Sequence, residues 1–235
     1  MDKPFVICHM LTSLDGKVTG RFLKGTKKIA KTYYGIHRAY GADAFACGRV
    51  TMEESFTNGW YPDLTGFKKT TMSRKDYIAD NTADYYAVAF DTKGRLGWKE
   101  SKIIDDDPGY NGAHIIEVLS EQASRQYLRY LQSIGVSYIF AGKESIDISL
   151  ALEKLYQLFG IRKLILEGGS ILNGAFHRED LIDELSLVVA PITAATEDKP
   201  LFYDGALRRF AFMGSLPYDN GVIWLNYRRP PQKNK

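Results

Sequence analysis

Lys163-Leu-Ile-Leu-Glu167-Gly168-Gly169-Ser170-Ile171-Leu172-Asn173-Gly174-Ala175-Phe176 joins a short apolar run to Glu-Gly-Gly and then to a segment that can continue as a helix. Apolar residues with β-branched content, bounded by glycine, read as a buried strand. The two glycines let the backbone turn sharply and come close to a ligand with no Cβ in the way. The helix that follows offers free N–H groups and a partial positive charge at its start, a ready seat for phosphate. Strand, Gly-Gly and helix are therefore a candidate dinucleotide cradle. The same signature occurs at turns that bind nothing, so its meaning depends on the residues around it.

Outward from this run, 235 residues suffice for one sizeable domain with a full core, or at most two. Hydrophobic residues at 45% and charged residues at 25% suit a soluble globular chain. A net charge of +3, with no basic block inside the fold, argues against nucleic acid as a partner. No run reaches transmembrane length, and Met1-Asp-Lys-Pro leads into strand-like residues without an apolar leader. Neither membrane insertion nor export is expected. Cys8 and Cys47 are isolated in apolar settings and read as core thiols of a reducing compartment, the cytoplasm. Two distant cysteines and four scattered histidines lack ligand spacing, so no metal is expected. The expected division is a single domain over 1–228 and a basic, frayed tail over 229–235.

Strand and helix patterns alternate along the chain. Phe5 to Met10 reads as a first strand, ending in the polar turn Leu11-Thr-Ser13-Leu14-Asp15-Gly16-Lys17. Lys28 to Tyr40 reads as a helix, with Ile29, Tyr33, Ile36 and Tyr40 at helical spacing and Gly41 as its C-terminal cap. Ala44 to Cys47 is a second strand, and Ser55 to Asp84 a long irregular stretch of the kind that is often functional. Tyr85 to Phe90 is a third strand, followed by an excursion over the surface from 94 to 113. His114 to Leu119 and Ser137 to Phe140 read as strands; Glu121 to Gln132 and Ile146 to Phe159 read as helices, the second stopped by Gly160. Glu184 to Pro191 is a further strand. Phe210 to Leu216 and Val222 to Tyr227, around Tyr218-Asp-Asn-Gly221, read as an antiparallel hairpin. The alternation predicts an α/β fold with a mainly parallel central sheet flanked by helices and a C-terminal antiparallel hairpin.

Five motifs, in order, carry a family resemblance. His9-Met-Leu-Thr-Ser13-Leu-Asp15-Gly-Lys17 resembles the opening of the C-terminal reductase domain of the bifunctional riboflavin-biosynthesis enzyme. Asp43-Ala-Phe-Ala-Cys-Gly48-Arg49-Val-Thr51 resembles its second-strand motif and Asp91-Thr92-Lys93 its third. Glu167-Gly-Gly-Ser-Ile-Leu-Asn-Gly-Ala175, and Leu181-Ile-Asp183-Glu184-Leu185 with Ala190-Pro191, resemble its most recognisable segments. The resemblance implies a dihydrofolate-reductase-like fold, NADPH as cofactor, hydride transfer and a homodimer.

By this resemblance Gly168, Gly169, Ser170, Ile171, Leu172, Asn173 and Gly174 cradle the pyrophosphate side of NADPH. Thr51 adds a hydroxyl at another helix start, Arg49 lies near the 2′-phosphate, and Thr92 and Lys93 lie near the adenosine end. Arginine suits that place because its planar fork grips phosphate at two points. Read from the residues alone, Arg49 is equally a surface charge paired with Glu53, and Thr51 an N-cap without a ligand. Glu167 is the implied substrate contact and, with Asp15, the implied catalytic group; partial burial would raise its pKa and let it assist protonation. Asp15 has a second reading as an Asp-Gly turn residue, and Arg38, implied to bind substrate, has one as a solvated helix residue. His177, after the cradle, reads as a helix C-terminal charge.

The match is uneven. Ser55-Phe-Thr-Asn-Gly-Trp60-Tyr61-Pro62 stands where the family has an aspartate and a phosphate-binding arginine, His9 where its bacterial members often have lysine, and Ala194 to Phe202 where it has a glycine pair. Trp60, Tyr61 and Phe67 form either a platform for a flat substrate or a cluster that anchors its loop. The expected function is an NADPH-dependent reductase of the 5-amino-6-(5-phosphoribosylamino)uracil type. Two alternatives stay open: a reductase of the same fold for another pterin-like, carbonyl or quinone substrate, and an NADP-binding module without catalysis.

Overall fold

The computed structural model describes residues 2–23, 27–67 and 74–231. The chain forms two compact units, one of Met1–Pro4 with Ala42–Leu164 and one of Phe5–Gly41 with Ile165–Lys235. Among the described residues nine strands and five α-helices are found.

The first unit holds β2 (Ala44–Gly48), α2 (Arg49–Met52, continued by a π-helical turn over Glu53–Thr57), β3 (Tyr86–Phe90), β4 (His114–Leu119), α3 (Arg125–Ser133), β5 (Ser137–Phe140) and α4 (Ile148–Phe159). Its strands lie in the order β5-β4-β3-β2, all parallel, with Ala44 opposite Tyr86 and Tyr86 opposite His114. All five residues of β3 and all six of β4 are buried, as strands covered on both faces require. The α3 helix starts at Arg125 rather than Glu121. The Ser124 hydroxyl accepts the N–H of Tyr127 there, and a capped start outcompetes a longer helix. Asp147 caps α4 in the same way, and Gly160, at φ 68°, closes it. The stretch 94–113, expected over the surface, instead buries Leu96, Trp98 and Ile103.

The second unit holds β1 (Phe5–Thr12), α1 (Lys27–Ala39), α5 (Ser170–Arg178), β7 (Glu184–Val189), β8 (Ala211–Pro217) and β9 (Ile223–Arg228). The strand β6 (Lys163–Leu166) crosses from one unit to the other. Here β1 pairs parallel with β7, and β9 and β8 follow as the antiparallel hairpin. Ile29 and Ile36 of α1 are buried with Val188, Ala190 and Val222, and Tyr33 and Tyr40 pack beside them, so the helical spacing marks the inward face. Arg229 is held through its backbone and side chain by Asp183 and Asp180, which anchors the chain past β9. Residues 232–235 of the expected tail lie outside the described residues. Cys8 and Cys47 are buried free thiols. Among the described residues no helix is long and apolar enough to cross a membrane.

Candidate active site

The apolar residues of β6 bury that strand, and Glu167 follows it directly, only 8% exposed. Its Oε1 accepts the Tyr33 hydroxyl at 2.6 Å and lies 2.9 Å from His37 Nδ1. Tyr33 and His37 stand four residues apart on α1, so one helix face delivers both donors. Tyr33 stacks on the ring of His9 from β1, centroids 4.2 Å apart and planes within 12°.

The state of His9 follows from its partners. The Tyr33 carbonyl, 3.1 Å from Nε2, can only accept, so Nε2 carries the hydrogen. Nδ1 of the neutral ring then accepts the Ser186 hydroxyl at 2.9 Å, and Ser186 in turn accepts the Trp224 indole N–H at 2.8 Å. Burial lowers the His9 pKa to about 4 against the upward pull of Glu167, so the ring is neutral at pH 7. Burial pushes Glu167 upward too. The hydrogen bond and charge of His37, then His9 and Tyr33, outweigh it and hold the carboxyl below its ordinary value. The expectation that burial raises the Glu167 pKa is thereby corrected: the hydrogen bond and charge of His37, with the Tyr33 hydroxyl, act against burial and lower it.

The Gly168-Gly169 turn opens α5 as expected. Gly168 takes φ 97°, where a side chain is strained, and a Cβ there would lie 3.2 Å from Met10 Cε. Gly169 is the N-cap and provides no side-chain bond, so the first N–H groups of α5 are left without a capping side chain. Asn173 is fully buried; its Nδ2 donates to the Leu201 carbonyl at 3.4 Å while its Oδ1 has no partner. Ser170 turns to the Pro200 carbonyl, and Gly174 fits tightly below Tyr203, whose carbonyl oxygen a Cβ would meet at 1.8 Å. Ile171 is 63% exposed and Leu172 half-buried. His177 is not a terminal charge. It is buried, stacks on Phe202 at 4.1 Å, accepts the N–H of Ala206 and is shifted by burial toward the neutral form.

Asp15 is exposed and binds the Ser13 hydroxyl at 2.7 Å and the Ala194 N–H at 2.9 Å, which lower its pKa, Ala194 first. It joins two loops through these contacts. Arg38 is exposed in the last turn of α1.

The remaining expected residues lie in the first unit. Arg49 pairs with Glu53 one helical turn on, both about one-third exposed (30% and 34%). Thr51 lies inside α2 and is not its N-cap, which is Gly48. Thr92 is half-buried and Lys93 exposed in the turn after β3, where Ser120 holds the Thr92 carbonyl. Tyr61 stacks on Tyr127 and Phe67 meets Tyr130 edge-on, so these two aromatics anchor their loop.

The sequence did not single out Tyr33 or His37 as site residues. Their four-residue spacing on one helix was the available signal. Nothing local tied that face to Glu167, 134 and 130 residues away.

The RibD C-terminal domain family matches residues 4–224. A 2,5-diamino-6-ribosylamino-4(3H)-pyrimidinone 5′-phosphate reductase of Methanothermobacter thermautotrophicus is 37% identical over 207 residues, 86% of this chain and 85% of that protein. A reductase of the same name from Aquifex aeolicus is 31% identical over 93 residues, 40% of this chain and 41% of that one. A pyrimidine reductase-like protein from Corynebacterium diphtheriae shares the fold with a TM-score of 0.69 at 18% identity, covering 98% of this chain and 94% of its own. With nearly its whole length matched, the chain belongs to the RibD C-terminal domain family.

Proposed function

We propose that this chain is an NADPH-dependent reductase of a phosphoribosylamino-pyrimidine, adding hydride to the opened ribosyl imine or carbonyl. The observation that carries the reading is a buried carboxyl, Glu167, held by the Tyr33 hydroxyl and His37 immediately before a glycine-capped helix start. A dinucleotide fits the residues present. Gly168 and Gly169 leave the backbone bare, and the partnerless Asn173 Oδ1 suits a donor from a bound group. Arg49 would reach the 2′-phosphate by releasing Glu53; a partly exposed pair of this kind is worth only about 0–1 kcal/mol. Thr92 and Lys93 would meet the adenosine end. When bound, NADPH supplies the hydride.

The chain's own part is positioning and charge. A carboxylate fixed by Tyr33 and His37 stabilises the protonated form of an imine beside it and orients the acceptor carbon. Asp15, which accepts the Ala194 N–H, would stand at the tip of a substrate-facing turn. The two named reductases, with matches of 37% and 31% identity, support a pyrimidine substrate. The reading takes 1–228 as one reductase domain and places it in the cytoplasm, where Cys8 and Cys47 stay thiols. It takes the protein as a homodimer. Phe212, Met213, Leu216 and Ile223, each 44–59% exposed on the hairpin, support a second copy as partner, because β8 carries no charge that would repel its own image.

The test is NADPH oxidation by the purified protein with the riboflavin pyrimidine, beside rescue of an auxotroph lacking only that reductase. Turnover and rescue are expected. Turnover with a different carbonyl, without rescue, would move the assignment to another substrate; NADPH binding with no turnover on any substrate would leave a non-catalytic module.

A further inference from the structure

Glu117 lies inside β4 with none of its surface exposed. The Trp98 indole N–H donates to its Oε1 at 2.5 Å, the Tyr127 hydroxyl lies 3.2 Å from the same atom, and Oε2 has no partner. Tyr127 has one hydroxyl proton, and the Leu96 carbonyl, 2.7 Å away, can only accept. That proton goes mainly to Leu96, the shorter contact, and reaches Glu117 only as the longer, shared one. A carboxylate there would have one close donor on Oε1 and none on Oε2, too few for a charge with no exposure to water, so the geometry points to an uncharged Glu117.

Its surroundings agree. The charge that faces it is the carboxylate of Asp91, at the end of β3. Tyr61 and Tyr130 pack on Tyr127, and Arg49 and Arg95 act on Asp91 and Tyr61. Burial first, and Asp91 second, push the Glu117 carboxyl well above its ordinary range against the bonds from Trp98 and Tyr127.

The same residues shape the turn 91–98. Asp91 accepts the N–H groups of Arg95 and Leu96, the latter at 2.8 Å. Gly94 lies on the Tyr127 ring, where a Cβ would be 2.3 Å from Cδ1, and Tyr61 donates to the Gly94 carbonyl at 3.1 Å. Trp98 and Tyr127 thus meet the turn from within, and both are bonded to Glu117.

We propose that Glu117 is a positioning residue: as an uncharged acid it holds the 91–98 turn in the form that presents Thr92 and Lys93 to the cofactor, and giving up its proton to alkaline solvent releases that turn. The cofactor part rests on the NADPH reading above; the protonation part does not.

Three measurements on the full chain and on Glu117→Gln test it. Infrared difference spectra at neutral pH should show a buried carboxylic acid band that Glu117→Gln removes. The Trp98 indole N–H resonance should shift on alkaline titration in the parent and stay fixed in Glu117→Gln. The NADPH Kd should weaken about tenfold or more across that titration in the parent and no longer follow it in Glu117→Gln, ten in Kd being one pKa unit. No acid band, or one Kd profile for both proteins, would overturn the proposal. If NADPH binds at no pH, the reductase reading fails, while the band and the resonance still decide the state of Glu117. If Glu117→Gln does not fold, those two signals in the parent protein alone carry the decision.

Discussion

Glu167 beyond β6 and Glu117 within β4 are both buried, at 8% and 0% exposure, and removal from water pushes both toward the neutral acid. They end in opposite states. Around Glu167 stand the Tyr33 hydroxyl, an imidazole N–H of His37 and the ring of His9. Around Glu117 stand one indole N–H, a hydroxyl whose proton goes mainly elsewhere, and a second carboxylate. Burial is common to the two sites, so it does not decide charge; the supply of donors does. A carboxylate kept charged away from water is a tool for stabilising developing positive charge. A carboxyl kept neutral serves better as part of the wall.

Exchanging Glu167 for glutamine should give the largest effect. Glu167→Gln keeps the shape and removes the charge, so the proposed reductase should lose turnover by about 10²–10³-fold, the scale of deleting one electrostatic contact in a dry site. Its NADPH Kd should change far less than its kcat. Turnover within about twofold of the parent would show that this carboxylate is structural and collapse the functional half of the comparison.

The second effect concerns His9, whose ring stacks on Tyr33 beside Glu167. The folded pKa of His9 is lowered from 6.5 to about 4. Between those values the unfolded chain binds a proton that the folded chain refuses, so stability is present above pH 6.5 and is lost as pH falls toward 4. The shift corresponds to a loss on the order of 3 kcal/mol. Glu167, also depressed, adds its own loss only at lower pH, as pH falls through its folded value. Urea unfolding of the parent and of His9→Gln across this window should show the decline in the parent and its absence in the variant. Parallel profiles would mean that His9 takes up its proton without opening the cluster.

What could be read from the sequence divides along the same line. The helix α1 was legible because one buried face imposes a repeat on neighbouring residues, β4 and β5 because they are short apolar runs, and the hairpin because of its Tyr218-Asp-Asn-Gly221 turn. Gly41 and Gly160 were legible because a helix end needs a positive φ. The Glu-Gly-Gly run placed Glu167 and its helix correctly. Its ionisation was not legible, since the donors that decide it come from α1, more than a hundred residues earlier in the chain. Glu117 was less legible still. A glutamate in His114-Ile-Ile-Glu-Val-Leu looks like the polar position of a half-exposed strand, and only the inward fold of 94–113 shows that Trp98 and Tyr127 enclose it. The alternative reading of Thr51 as an N-cap does not hold, because Gly48 takes that place with no side chain to announce it.

The smallest effect sharpens the comparison from the side of the first unit. Arg49 acts on the carboxylate of Asp91, which in turn faces Glu117, and it is paired with Glu53. If Arg49 also receives the 2′-phosphate of the cofactor, Arg49→Ala should weaken NADPH by about tenfold, the low end for a hydrogen bond to a charged group, and leave NADH nearly unchanged. Calorimetric titration with both dinucleotides distinguishes two roles. A selective loss places Arg49 on the phosphate. Equal losses for both would mean that Arg49 works through Asp91 and the 91–98 turn instead, since a distorted turn weakens the adenosine end shared by the two cofactors. In that case the neutral glutamate and its neighbours would govern dinucleotide affinity without a phosphate contact, and Arg49 would belong to the network of Asp91 and Glu117.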